Sequence, residues 1–153
     1  MNSLSAEMLG DIFAQALQEV IAKTTGFSLD VLSSEQDAGF DESIALMSLN
    51  SMKGGILFIS SEEESMRTLC SFMEGDDKDE ITKADMDDVL CEFLNMTAGN
   101  AKMRLNDTEY MFTLSSPLII SGNSISLAAK TRVSIISRTL GNGNISIRLK
   151  VVF

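Results

Sequence analysis

From Met8 onward the apolar residues return every third or fourth position, as Met8, Leu9, Ile12, Phe13, Ala16, Leu17, Val20 and Ile21. That spacing gives a helix with one broad apolar face. Ser5 stands where an N-terminal cap belongs and Gly26 where the helix must close. The pattern then shortens to that of strands at Phe27–Leu32, at Ser43–Leu49 with an Ile44/Leu46/Ser48 face, and at Gly55–Ser60. Ile56-Leu57-Phe58-Ile59 is too apolar for an exposed edge. Asn50-Ser51-Met52-Lys53-Gly54 reads as the hairpin joining the last two strands. Ser61-Glu62-Glu63-Glu64 has the form of a capping box opening a short helix through Met66, Leu69, Cys70 and Met73 to Gly75. The run Asp76–Glu80 reads as a solvated loop.

Thr82, with Asp85 three positions on, caps a long helical pattern that extends through Asn95 to about Leu105. Strands follow at Glu109–Leu114, Thr131–Arg138 and Asn144–Phe153. The last alternates Ile145, Ile147, Leu149, Val151 and Phe153 against Ser146, Arg148 and Lys150, and Gly141-Asn142-Gly143 supplies its turn. The expected fold is α+β in one domain over residues 1–153: an antiparallel or mixed sheet with two long helices packed on it, a helix-plus-three-strand unit used twice. Hairpin connections argue against a doubly wound parallel sheet.

Composition narrows the function. Twelve Lys and Arg against twenty-two Asp and Glu leave a net charge of −10 with no basic patch, which disfavours nucleic acid and anionic membrane as partners. With no histidine, His-based triads and His-ligated zinc sites are excluded. Cys70 and Cys91 form no Cys-x-x-Cys and read as small buried residues. The first residues carry no basic run, and no stretch approaches the eighteen apolar residues of a membrane span, so the expected compartment is the cytoplasm.

On a wheel of about 100° per residue, Met86, Leu90, Phe93, Leu94, Thr97, Ala98, Ala101 and Leu105 share the side that would face a sheet. Glu92 and Asn95 lie opposite, as surface neighbours, and Gly99 continues their stripe one turn on. Glycine there costs about 1 kcal/mol relative to alanine, so either another group approaches closely or the helix tolerates it. The Glu-x-x-Asn spacing alone is a weak signal, since this composition yields roughly half a match by chance.

The longer phrase is more specific. Glu92-Phe93-Leu94-Asn95-Met96-Thr97-Ala98-Gly99-Asn100-Ala101-Lys102 resembles the signature helix of the CheC/CheX/FliY family of bacterial chemotaxis phosphatases. The N-terminal helix ending at Gly26, the mid-chain hairpin and the Ser116-Pro117-Leu118-Ile119-Ile120-Ser121-Gly122 segment are similar in order to the CheX branch. The resemblance implies that Glu92 and Asn95 are the catalytic pair and that the protein is a homodimer. CheC-type members carry a second Glu-x-x-Asn on the first helix; Ala6–Thr25 has none, so one site per chain is implied.

The implied substrate is a CheY-like receiver domain phosphorylated on aspartate. Hydrolysing an acyl phosphate calls for an in-line water and charge compensation more than for covalent help. A neutral amide such as Asn95 can orient that water without adding negative charge, while Glu92 suits an ion pair to a partner lysine. Asp88, Met96, Gly99 and Met103 are the candidate partner-contacting positions, with Met96 and Met103 as an apolar surround. The chain itself needs no cofactor, the magnesium ion being expected in the receiver's acidic pocket. Asp87, Asp88 and the Asp76–Glu80 run splay apart and do not read as a metal site. The alternative is a non-catalytic adaptor or flagellar-switch module on the same fold, and a third reading is a plain dimeric structural domain.

Overall fold

The computed structural model describes residues 3–33, 39–130 and 132–153. The Ser5 hydroxyl accepts a hydrogen bond from the Met8 amide and opens α1 (Ala6–Thr25), which Gly26 closes in the left-handed region at φ 81°. α1 is followed by β1 (Asp30–Ser33), β2 (Ser43–Ser48), β3 (Ile56–Ser61), α2 (Glu63–Glu74) and α3 (Lys83–Arg104). β4 (Leu118–Ser121), β5 (Ile135–Gly141) and β6 (Ser146–Val152) complete the chain.

The strands form one sheet in the order β1-β5-β6-β3-β2-β4, every pair antiparallel. Exchanging the two three-strand sets, β1 with β4, β2 with β5 and β3 with β6, returns the same order reversed. The repeated helix-plus-three-strand unit is thus present as a pseudo-twofold arrangement in which each unit lends its first strand to the edge of the other. α1 lies over β5 and β6, and α3 lies over β2, β3 and β4 beside it. One core joins Phe13, Leu17 and Ile21 of α1 to Phe93 and Leu94 of α3 and to Ala45, Met47, Leu57, Ile59, Ile147, Leu149 and Val151 of the sheet. Fully burying each large side chain of this kind contributes about 1.5–3 kcal/mol.

Several elements differ from the sequence expectation. In β2, Ala45 and Met47 face the helices; Ile44 is buried outside that core, on the opposite face, where Phe58 packs against Phe40. The first strand begins at Asp30, because Phe27 turns its ring edge-on to Phe72 between the end of α1 and α2, with centroids 4.6 Å apart. Glu109–Leu114 is not a strand. The Thr108 hydroxyl takes the Leu105 carbonyl and accepts from the Tyr110 amide, so local bonds replace a ladder and only Thr113 bridges to Asn50.

The strand expected at Thr131–Arg138 runs instead over Ile135–Gly141, in register with β6 from the Gly141–Ser146 pair; Thr131 lies outside the described residues. Ser61 caps no helix, since it ends β3 and its hydroxyl donates to the Ser146 carbonyl at 2.7 Å; Glu62 takes the cap position without a side-chain bond. Within Asp76–Glu80, Lys78–Glu80 forms a 3₁₀ turn. Lys150, expected to face water, is buried with its ammonium 3.1 Å from the Ser137 hydroxyl and over the Phe40 ring.

Candidate functional site

α3 carries every candidate residue, and its start is fixed locally. Thr82 accepts from the Asp85 amide while the Asp85 carboxylate accepts from the Thr82 amide, the reciprocal capping box expected from the sequence. These bonds hold the Asp85 carboxyl below its ordinary range. Met86, Leu90, Phe93, Leu94, Thr97, Ala98, Ala101 and Leu105 are all buried, so the helix is seated in the predicted rotation.

That rotation turns the opposite stripe outward. Asp88 and Glu92 are exposed, Asn95, Met96 and Gly99 are half-buried, and Met103 is 71% exposed. Among the described residues the Glu92 carboxylate and the Asn95 amide make no hydrogen bond or ion pair within the chain. An acceptor and a donor–acceptor amide therefore stand one helical turn apart, about 4.5 Å of rise, with their valences open to a second molecule. Met96 also packs against the core, so it anchors the helix as well as contributing surface.

Gly99 answers one question left by the sequence. A methyl group built there would meet, beyond the helix's own backbone and the adjoining residues, no atom of the described residues within 4 Å, so no other described segment approaches it closely. The glycine leaves an open step in the stripe between Asn95 and Met103.

The flank of α3 that faces α1 is clasped. Arg104 donates through Nε to Asn100 at 2.9 Å and through Nη1 to Gln15 at 2.7 Å, and it pairs with Glu19, which also accepts from Asn100. The Arg104 and Asn100 donors hold the Glu19 carboxyl below its ordinary range. Alongside runs a groove of about 370 Å³ lined by Glu19, Val20, Lys23, Met96, Asn100 and Met103. Sequence reasoning did not place Glu19 or Lys23 beside the site. The bonds of Glu19 to α3 span more than eighty residues of chain, and no local periodicity signals which turn of α1 meets α3.

Toward its N-terminus the site becomes acidic. Burial, then the carboxylates of Asp85, Asp76 and Asp88, push Glu74 above its ordinary range. Cys91 is only half-buried; burial, then Asp87 and Asp88, push its thiol up, away from thiolate chemistry at neutral pH. The fully enclosed Cys70 is pushed up to about 12, chiefly by burial. Among the described residues no three or more Cys, Asp or Glu are grouped to hold a metal ion, and no helix is long and apolar enough to cross a membrane.

The sequence model of the family described as chemotaxis phosphatase CheX matches residues 43–139. A comparison with curated proteins finds no match. Among solved structures, the fold is similar to the chemotaxis protein CheX of Vibrio vulnificus, with a TM-score of 0.80 and 18% identity over 94% of this chain and 97% of that one. CheX of Desulfovibrio desulfuricans gives 0.78 and 17% over 94% and 97%. CheX of Borrelia burgdorferi, solved in a CheX–CheY–BeF3–Mg complex, gives 0.66 and 15% over 93% and 96%.

Proposed function

The chain belongs to the chemotaxis phosphatase CheX family, and from that membership we propose that it removes the phosphoryl group from a CheY-like receiver domain phosphorylated on aspartate. The observation that carries this reading is the pair on the outer face of α3: the Glu92 carboxylate and the Asn95 amide, one turn apart and unengaged within the chain among the described residues. In the proposed complex the Asn95 carbonyl oxygen accepts from a water and so turns the water's lone pair toward phosphorus, in line with the P–O bond to the aspartyl carboxylate. That bond breaks, and the aspartate leaves as a free carboxylate while inorganic phosphate is released. The neutral amide orients the water without adding charge next to a phosphoryl dianion. Glu92 pairs with a lysine of the partner and so sets the distance at which the amide meets the phosphoryl group. The magnesium ion of the phosphorylated receiver would sit in that partner's own acidic pocket.

Asp88, Met96, Gly99 and Met103 form the contact surface around the pair in this reading. In this reading the protein works in the cytoplasm and as a homodimer, the dimer being supported by the apolar residues Leu118 and Ile120 left exposed on the edge strand β4.

The test is the decay of a receiver domain phosphorylated with acetyl phosphate and magnesium, with and without this protein. Decay should accelerate with the parent and fall back by about 10²–10³-fold in kcat with Asn95→Ala, the scale of losing one oriented group from a preorganised site. The variant should still bind the receiver. Unchanged decay with the parent across several receivers would replace this reading by the non-catalytic adaptor.

A further inference from the structure

We propose that Lys102 is a specificity-determining residue whose ammonium meets the acidic rim of the partner's phosphorylation pocket and, against Glu92 at the other end of the stripe, sets the direction in which the partner docks. This rests on the phosphatase reading above and adds to it a residue and a polarity.

The cations of α3 are Lys83, Lys102 and Arg104. Lys83 is bound to Asp87 at 2.6 Å, and Arg104 is bound to Glu19 across the helix pair. Lys102 has no ion pair or hydrogen bond to any other of the described residues. It follows Asn95 by seven positions, which brings it back to within about 20° of the same direction on the helix, some 10 Å further along the axis. Asn100 and Arg104 mark the flank turned to α1, so Asn95 and Lys102, both half-buried, share the other flank, on the side of the β4 edge. Side chains on a helix lean toward its N-terminus, and a lysine stem can lie along the surface with its ammonium in water. Both effects carry the charge from Lys102 back toward Asn95.

The stripe is therefore polarised. Asp88 and Glu92 are negative, Asn95 and Gly99 are neutral, and Lys102 is positive. A partner that brings a lysine to Glu92 must bring its phosphoryl group to Asn95, and the carboxylates that surround an aspartyl phosphate then extend toward Lys102. In a chain with a net charge of −10 that approach is repelled overall, so a local cation beyond the amide offsets the repulsion where it is largest. Docking in the reverse sense would set carboxylates against Asp88 and Glu92, so the polarity also rejects the wrong orientation. A lysine in the last turn of a helix also has a purely structural use, complementing the helix dipole. That use affects folding and leaves partner affinity and its salt dependence alone.

The experiment titrates a CheY-type receiver domain carrying beryllium fluoride and magnesium against the parent, Lys102→Glu and Lys102→Arg at low and high salt, with thermal melts of all three. Lys102→Glu should weaken binding about tenfold or more at low salt and by a smaller factor at high salt, where the lost attraction and the added repulsion are screened, while Lys102→Arg should bind within about twofold of the parent at both. Lys102→Glu binding within about twofold of the parent at low salt overturns the inference, whatever its melting temperature. If the parent accelerates receiver decay while Lys102→Glu binds unimpaired, this inference alone fails. If the parent neither binds the loaded receiver nor accelerates decay, the phosphatase reading falls with it.

Discussion

The guanidinium of Arg104, at the end of α3, pairs with the carboxylate of Glu19 in the middle of α1 and so locks together the two helices that frame the candidate site. Because Arg104 also donates to Gln15 and to Asn100, one side chain fixes both the spacing and the axial register of the pair. Arg104→Ala should lower the melting temperature modestly, since the pair is partly exposed and screened. It should impair receiver binding more than a surface change elsewhere, because Glu19 and Asn100, which Arg104 holds, line the groove beside Met96 and Met103. Equal loss of binding with Lys23→Ala and Arg104→Ala, at unchanged stability, would assign the effect to surface charge instead.

The same clasp has a pH signature. The folded-state pKa of Glu19 is lowered, first by its bond from Arg104, so the unfolded chain takes up the proton first as pH falls. The stabilisation is complete above the ordinary carboxylate range and is lost as pH falls through the lower, folded value. The melting-temperature gap between the parent and Glu19→Gln should be present at pH 7 and shrink toward pH 3, measured by scanning calorimetry.

Glu74 has the opposite sign. Its folded-state pKa is raised, first by burial and then by Asp85, Asp76 and Asp88, so the folded state takes up the proton first. Its charged form disfavours the fold at neutral pH, and the penalty disappears as pH falls through the raised value to the unfolded one. Glu74→Gln should therefore raise the melting temperature slightly at pH 7 and leave it unchanged near pH 4. A rise that persists at pH 4 would mean that the gain comes from something other than charge.

How much of this was legible in the sequence follows from which interactions are local. The rotation of α3 could be read because its apolar positions recur over the whole helix, and its cap because Thr82 and Asp85 satisfy each other three residues apart. Ser61 misled because its hydroxyl has a competing acceptor, the Ser146 carbonyl, from a strand that is distant in sequence. Glu109–Leu114 misled because Phe112 is buried and Tyr110 half-buried, which gives strand-like alternation to a segment that is in fact pinned to the end of α3 by Thr108. Lys150 misled because the face behind the sheet is covered by Phe40, which local alternation cannot register. Glu92 and Asn95 were visible as a spacing, but that no other described residue engages them required the fold.

The outer edge of β4 bears on assembly. β4 pairs with β2 on one side only, and its Leu118 and Ile120 are 63% and 45% exposed. An open, apolar edge of this kind is where strand addition by a second copy would occur. Leu118→Lys with Ile120→Lys should convert a dimer into a monomer in light scattering at micromolar concentration, without loss of the fold by circular dichroism. A parent that is already monomeric under these conditions would remove the homodimer from the proposed function.

Gly99 separates folding from function most cleanly. Its methyl-sized space is empty, so Gly99→Ala adds helix propensity with no clash and should stabilise the isolated protein by about 0.5–1 kcal/mol. If the open step between Asn95 and Met103 exists for the surface of a partner, the same methyl group must stand in the interface. The variant should then melt higher yet show a raised KM for the phosphorylated receiver at nearly unchanged kcat. Gly99→Ser, slightly larger and polar, should raise KM further. Higher stability with an unaltered KM would reduce Gly99 to a tolerated residue and move the edge of the docking surface back to Met96.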